Sequence, residues 1–142
     1  MDSVPAEAES CPEVELEQML VQRHEASERW VVGWQIKNIA SYPLRIDSVQ
    51  LPHGQFKSEE QRFEPALFLA SYQQAAFETR VRCEEAEGVA TENAFLIFQA
   101  LWAGNPWRIF VRVKVEVNAK REPHVQVVLI TAQRVGFSGF TR

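Results

Sequence analysis

The stretch Trp107-Arg108-Ile109-Phe110-Val111-Arg112-Val113-Lys114-Val115-Glu116-Val117 decides the fold class. Six apolar residues stand at its odd positions, and Arg108, Phe110, Arg112, Lys114 and Glu116 stand at its even ones. Successive side chains of a strand point to opposite faces. The alternation is therefore a β-strand with one face in a core and one mostly in water. A helix could not gather those six residues on one stripe.

Outward from this strand the same period recurs. Ala94 to Trp102 is apolar except for Gln99 and reads as a buried strand. The short connection Trp102-Ala103-Gly104-Asn105-Pro106-Trp107 makes the two strands a hairpin. Trp30, Val32, Trp34 and Ile36 alternate with Val31, Gly33, Gln35 and Lys37, a central strand that ends in the turn Asn38 to Pro43. Leu44, Ile46, Val49 and Leu51 form another strand, whose phase slips near Asp47-Ser48 as a β-bulge would make it. Ala75, Phe77, Thr79, Val81 and Cys83 alternate with charged residues and give a half-exposed strand. Between these two, residues 55–74 hold Phe63, Leu67 and Leu69, but Pro65 excludes a helix, so a loop with a short edge strand is expected. A last strand falls near Val125–Thr131. Val14, Leu16 and Leu20 fit either a first strand or a short helix over Glu13–Val21.

At 142 residues the chain is long enough for one domain with its own core. Its charge divides unevenly. Residues 1–28 carry eight acids against one base, a net of −7, and residues 29–142 carry fourteen bases against eleven acids, a net of +3. This marks an acidic, solvated leader over residues 1–28 that includes the candidate first strand, a β-sandwich domain over 29–134 and a flexible tail over 135–142. An isoelectric point near 5.4 and scattered bases argue against a nucleic-acid partner. No signal sequence and no long apolar run is seen, so no membrane partner and a cytoplasmic location are expected. Cys11 and Cys83 read as free thiols.

Several short patterns occur in order: Trp34-x-Ile36-x-Asn38, Pro43-Leu44-x-Ile46, Phe63-x-Pro65-x-Leu67-x-Leu69 and Ala76-Phe77-x-Thr79-x-Val81. Across residues 14–118 this succession resembles the immunoglobulin-like and fibronectin-III-like modules, in which a strand ends in an Asn turn and a proline-marked edge leads into a core strand. The resemblance implies an all-β fold, an antiparallel β-sandwich of about 7–9 strands, immunoglobulin-like. The Cys–Trp–Cys framework of antibody domains is absent, and Ala70-Ser71-Tyr72-Gln73 stands where such modules place a Pro-Gly turn. A fold of this kind implies no particular function.

Chemistry-bearing patterns are sparse. No serine lies in a Gly-x-Ser-x-Gly setting, and the six glycines form no phosphate cradle. His24, His53 and His124 lack the close spacing common in zinc sites, and Glu84, Glu85 and Glu87 lack the Asp/Asn pattern of a calcium loop. The expectation is a protein that is not an enzyme and holds no metal or cofactor. The leading reading is a module that binds another protein or a second copy of itself. Its candidate contacts are Phe110, which lies between Arg108 and Arg112 on the charged face, and Phe137 and Phe140 in the tail. The alternative is a small-ligand or carbohydrate binder that uses Trp102, Trp107 and His53. That alternative needs indole faces open to water, whereas rings packed on each other would only close the hairpin. A third reading, an enzyme subunit completed by a partner, needs His53 and His124 beside one acid at a single pole.

Overall fold

The structure, a computed structural model, describes residues 11–23, 29–52, 56–83, 88 and 90–136. Eight strands make up its regular structure: β1 (Val14–Arg23), β2 (Arg29–Asn38), β3 (Leu44–Leu51), β4 (Phe56–Leu69), β5 (Gln74–Cys83), β6 (Ala90–Trp102), β7 (Asn105–Val117) and β8 (Pro123–Arg134). All pairings are antiparallel, in the order β1-β2-β5-β4-β3-β6-β7-β8. The connection from β2 to β3 passes over the β3-β4-β5 meander, whose last strand returns beside β2, so the first half is a Greek key. Among the described residues there is no helix, and so none long and apolar enough to cross a membrane.

The strands curl into a nearly closed barrel rather than the expected immunoglobulin-like sandwich. Two places show why. β4 and β5 share only the pairs Phe56↔Cys83 and Lys57↔Arg82, after which β4 leaves β5 and runs along β3. One strand thus carries the sheet around a corner that a sandwich would leave unpaired. On the far side β1 and β8 come together, although no backbone ladder joins them among the described residues. The carboxamide of Gln18 spans the seam instead.

β4 is also where the sequence expectation of a loop with a short edge strand fails, because residues 56–69 form one long strand. Pro65 is accommodated by a register shift. The pairs Ile46↔Leu67 and Ser48↔Arg62 enclose four unpaired residues of β4, so its missing N–H interrupts no ladder bond. Similarly, Val14 to Arg23 is a strand and not a helix. It pairs with β2 from Val14↔Asn38 to Arg23↔Trp30, and a bulge follows Gln18.

The interior is filled by the residues whose alternation marked the strands. Trp34, Phe56, Phe98, Ile36, Ile46 and Leu96 are among those fully buried. At roughly 1.5–3 kcal/mol for each large apolar side chain removed from water, this filling is the main stabilising term. The Trp34 indole N–H donates to the Thr79 hydroxyl at 2.9 Å, so the largest core residue brings its polar atom with a partner. At the lower end Asn38, also fully buried, ties two turns together. Its Nδ2 donates to the carbonyls of Tyr42 and Leu69, and its Oδ1 accepts from the Ala40 N–H.

Candidate functional site on the outer barrel face

The β6–β7 hairpin turns through Ala103 and Gly104 alone, since Trp102 pairs directly with Asn105. Both turn residues have positive φ, 51° and 79°, which is the type I′ geometry that matches the twist of flanking strands. Just inside this turn Trp102 and Trp107 point inward and meet edge to face, ring centroids 5.9 Å apart. Tyr42 adds a second edge contact to Trp102 at 5.5 Å. Both indoles are buried, at 4% and 8% exposure, so neither offers a ring face to a sugar. Their placement corrects the idea of an exposed platform: both share the inward phase of the apolar alternation, and the twist of the hairpin carries them under its own turn.

Phe110 occupies a different setting. It lies on the outer face directly opposite Ile97 of β6 and Thr131 of β8. Two residues along, Arg112 stands between Phe95 and Leu129 in register. Phe95, Ile97, Phe110 and Arg112 are half-buried, and Leu129 is 52% exposed. Phe110 therefore belongs to a four-residue apolar cluster around a guanidinium, with Arg108 opposite Gln99 and Gln133 at one border. Sequence reading identified Phe110, Arg108 and Arg112. It missed Phe95, Ile97 and Leu129, because their outward phase appears only once register is known.

The remaining candidates are dispersed. His53, Phe137 and Phe140 lie outside the described residues, as do His24 and the Glu84, Glu85 and Glu87 group. His124 opens β8 and sits 3.0 Å from Asn118 Nδ2 and 3.7 Å from Glu122 Oε1, an exposed turn arrangement. Among the described residues no three of His, Cys, Asp and Glu gather as a metal site would require. Cys83 is buried. Burial pushes the half-buried Cys11 thiol above its usual pKa, and the Glu13 carboxylate pushes it further, so neither is poised as a nucleophile.

One feature of the surface has no counterpart in the sequence expectations. Where β4 parts from β5, a groove of about 750 Å³ opens, and Arg29, Lys57, Arg80 and Arg82 line it.

No protein-family model matches the chain, and no curated protein matches it. Among solved structures, an X-ray structure described as Northeast Structural Genomics Consortium target SoR45 is 12% identical, over 89% of this chain and 87% of that one, with a TM-score of 0.29. That likeness is too slight to carry a fold or a function to this chain.

Proposed function

We propose that this protein is a non-catalytic β-barrel module that binds another protein through the outer face of β6, β7 and β8. The supporting observation is the cluster Phe95, Ile97, Phe110 and Leu129 grouped around Arg112. Apolar side chains gathered about an Arg suit a docking patch, because aromatic and Arg residues carry most interface energy.

The partner has an apolar side chain flanked by carboxylates. Arg108 and Arg112 lie in the patch, and Lys114, next along the same face of β7, already lies 3.5 Å from Glu116. A second copy docking by the same face would bring two sets of Arg108 and Arg112 to one interface, which like-charge repulsion disfavours.

Panning a random peptide library on the full chain tests this. The expected result is enrichment of peptides with an aromatic or aliphatic residue between Asp or Glu residues, and loss of that enrichment with Phe110→Ser. Enrichment of no sequence, or peptides retained equally by Phe110→Ser, would overturn the proposal. So would a concentration-dependent dimer that Phe110→Ser dissolves.

A further inference from the structure

The groove between β4 and β5 lies at the top of the barrel, where β2 begins and β5 ends. Three cations stand there side by side on adjacent strands: Arg29 of β2 is directly opposite Arg82 of β5, and Lys57 of β4 is directly opposite Arg82 on its other side. Neighbouring strands are about 4.8 Å apart, and like charges directly opposite on one face destabilise a sheet. Arg80, two residues before Arg82, shares its face and adds a fourth. Lys57 and Arg80 make no ion pair with any described residue. The inward residues here, Trp30, Val81, Cys83 and Phe56, are apolar, so the four cations all stand on the outer face.

The divergence of β4 turns the row into one wall of a concavity. Its volume of about 750 Å³ is far more than one small anion fills and falls in the range of sites for small molecules. Ser58 and Gln61 add neutral hydrogen-bonding groups from β4, and Glu59 and Glu78 add two carboxylates. Glu78 pairs with Gly33, four residues along β5 from the Arg29↔Arg82 pair and two from Arg80 on the same face, so the four cations outnumber the two carboxylates of the lining. Among the described residues no aromatic side chain lines the groove, so these residues give a nucleobase no stacking surface.

We infer that this groove is a binding site for a phosphorylated sugar or polyol. The phosphate oxygens meet Arg29, Lys57, Arg80 and Arg82, whose forked and point charges suit a dianionic oxyanion. The hydroxyl groups donate to Glu59 and Glu78 and exchange hydrogen bonds with Gln61 and Ser58. The site is on the far side of the sheet order from the β6–β8 patch and stands or falls independently of it.

Titration of the isotope-labelled full chain by NMR tests the inference with three probes: glucose 6-phosphate, inorganic phosphate and glucose. Glucose 6-phosphate should give saturable amide shifts confined to residues around 29, 57–61 and 78–82. It should bind about tenfold more tightly than inorganic phosphate, since the hydroxyl contacts add to the charge contacts, and glucose alone should give no saturation. Lys57→Gln with Arg80→Gln should weaken binding at least tenfold. Arg108→Gln with Arg112→Gln removes the same charge from the β6–β8 patch and should leave binding unchanged. Absence of saturable shifts in the groove, equal binding of the sugar phosphate and inorganic phosphate, or equal loss in both double variants would each overturn it. Vesicles carrying phosphatidylinositol phosphate form a fourth arm. Binding to them that soluble glucose 6-phosphate cannot displace would overturn the soluble-ligand assignment in favour of a lipid headgroup.

Discussion

The carboxamide of Gln18 accepts a hydrogen bond from the Val125 N–H at 2.8 Å, while its own N–H donates to the Pro123 carbonyl at 3.0 Å. The side chain thus behaves as a single inserted peptide group at the β1–β8 seam. It satisfies two edge groups of β8 that would otherwise face water or a foreign strand. Gln18→Leu should cost about 1–2 kcal/mol of stability, the value of such bonds with one end left unmade. Hydrogen exchange checks the cause: the Val125 amide should lose protection while the amides of β6 keep theirs. Uniform loss across the sheet would mean that the residue matters only for packing.

The buried carboxamide of Asn38 meets four backbone partners at the other end of the barrel, the carbonyls of Tyr42, Leu69 and Ala70 and the Ala40 N–H. Asn38→Asp replaces the donor to the Tyr42 and Leu69 carbonyls by a carboxylate oxygen. A loss of about 2–4 kcal/mol is expected at neutral pH, from unsatisfied buried carbonyls and a buried charge. Equilibrium unfolding measures it, and a cost below about 1 kcal/mol, the size of one ordinary hydrogen bond, would show that the two turns hold without this link.

These two residues also show what was legible in the chain. Asn38 was readable as a turn residue, and the alternation in β2, β5 and β7 identified both the strands and their inward faces, because period two is a local property, whereas the apolar run of β6 marked a strand without showing which face points inward. Gln18 carried no signal. Its role depends on β8 arriving beside β1 from more than a hundred residues away, and pairing is not written locally. The same limit hid the row Arg29, Arg82 and Lys57, whose members are scattered in sequence and meet only through register. It also made residues 56–69 look like a loop: Pro65 argues against a strand unless the strand is bulged where the proline falls. The −7 leader and +3 body are a partial case, since part of the leader's charge lies in β1, on the outward residues Glu15 and Glu17.

Trp34, Trp102 and Trp107 differ in one respect that can be measured. Trp34 donates to Thr79, whereas the buried Nε1 atoms of the other two have no hydrogen-bond partner among the described residues. Thr79→Val keeps the volume and removes the acceptor, so it should cost about 1–2 kcal/mol. The Trp34 indole N–H resonance should shift markedly, and those of Trp102 and Trp107 should stay in place. Thr131→Val, on the exposed outer face, is the control and should change stability by less than about 0.5 kcal/mol.

Cys11 reports the start of β1. Burial raises its thiol pKa, and Glu13 raises it further. Folding therefore favours the neutral thiol, and the corresponding stability is full below the ordinary thiol range and lost as pH rises through the folded value. Under native conditions the pH midpoint for alkylation of Cys11 by iodoacetamide should lie above that of the urea-unfolded chain. Glu13→Gln should move it partway back. An unshifted native midpoint would show that the thiol is open to water.

Ala103 holds φ of 51° at the first central position of the type I′ turn, where an L-residue with a Cβ is strained and Asn is favoured. Ala103→Asn places Asn-Gly at the turn, the preferred pair for this geometry. The substitution should raise stability by about 0.5–1 kcal/mol without altering the Trp102–Trp107 packing beneath it. Thermal unfolding gives the size of the effect, and unchanged indole resonances of Trp102 and Trp107 confirm that the hairpin keeps its register. Destabilisation together with shifted resonances would mean that the two rings, and not the turn, set the register of β6 against β7.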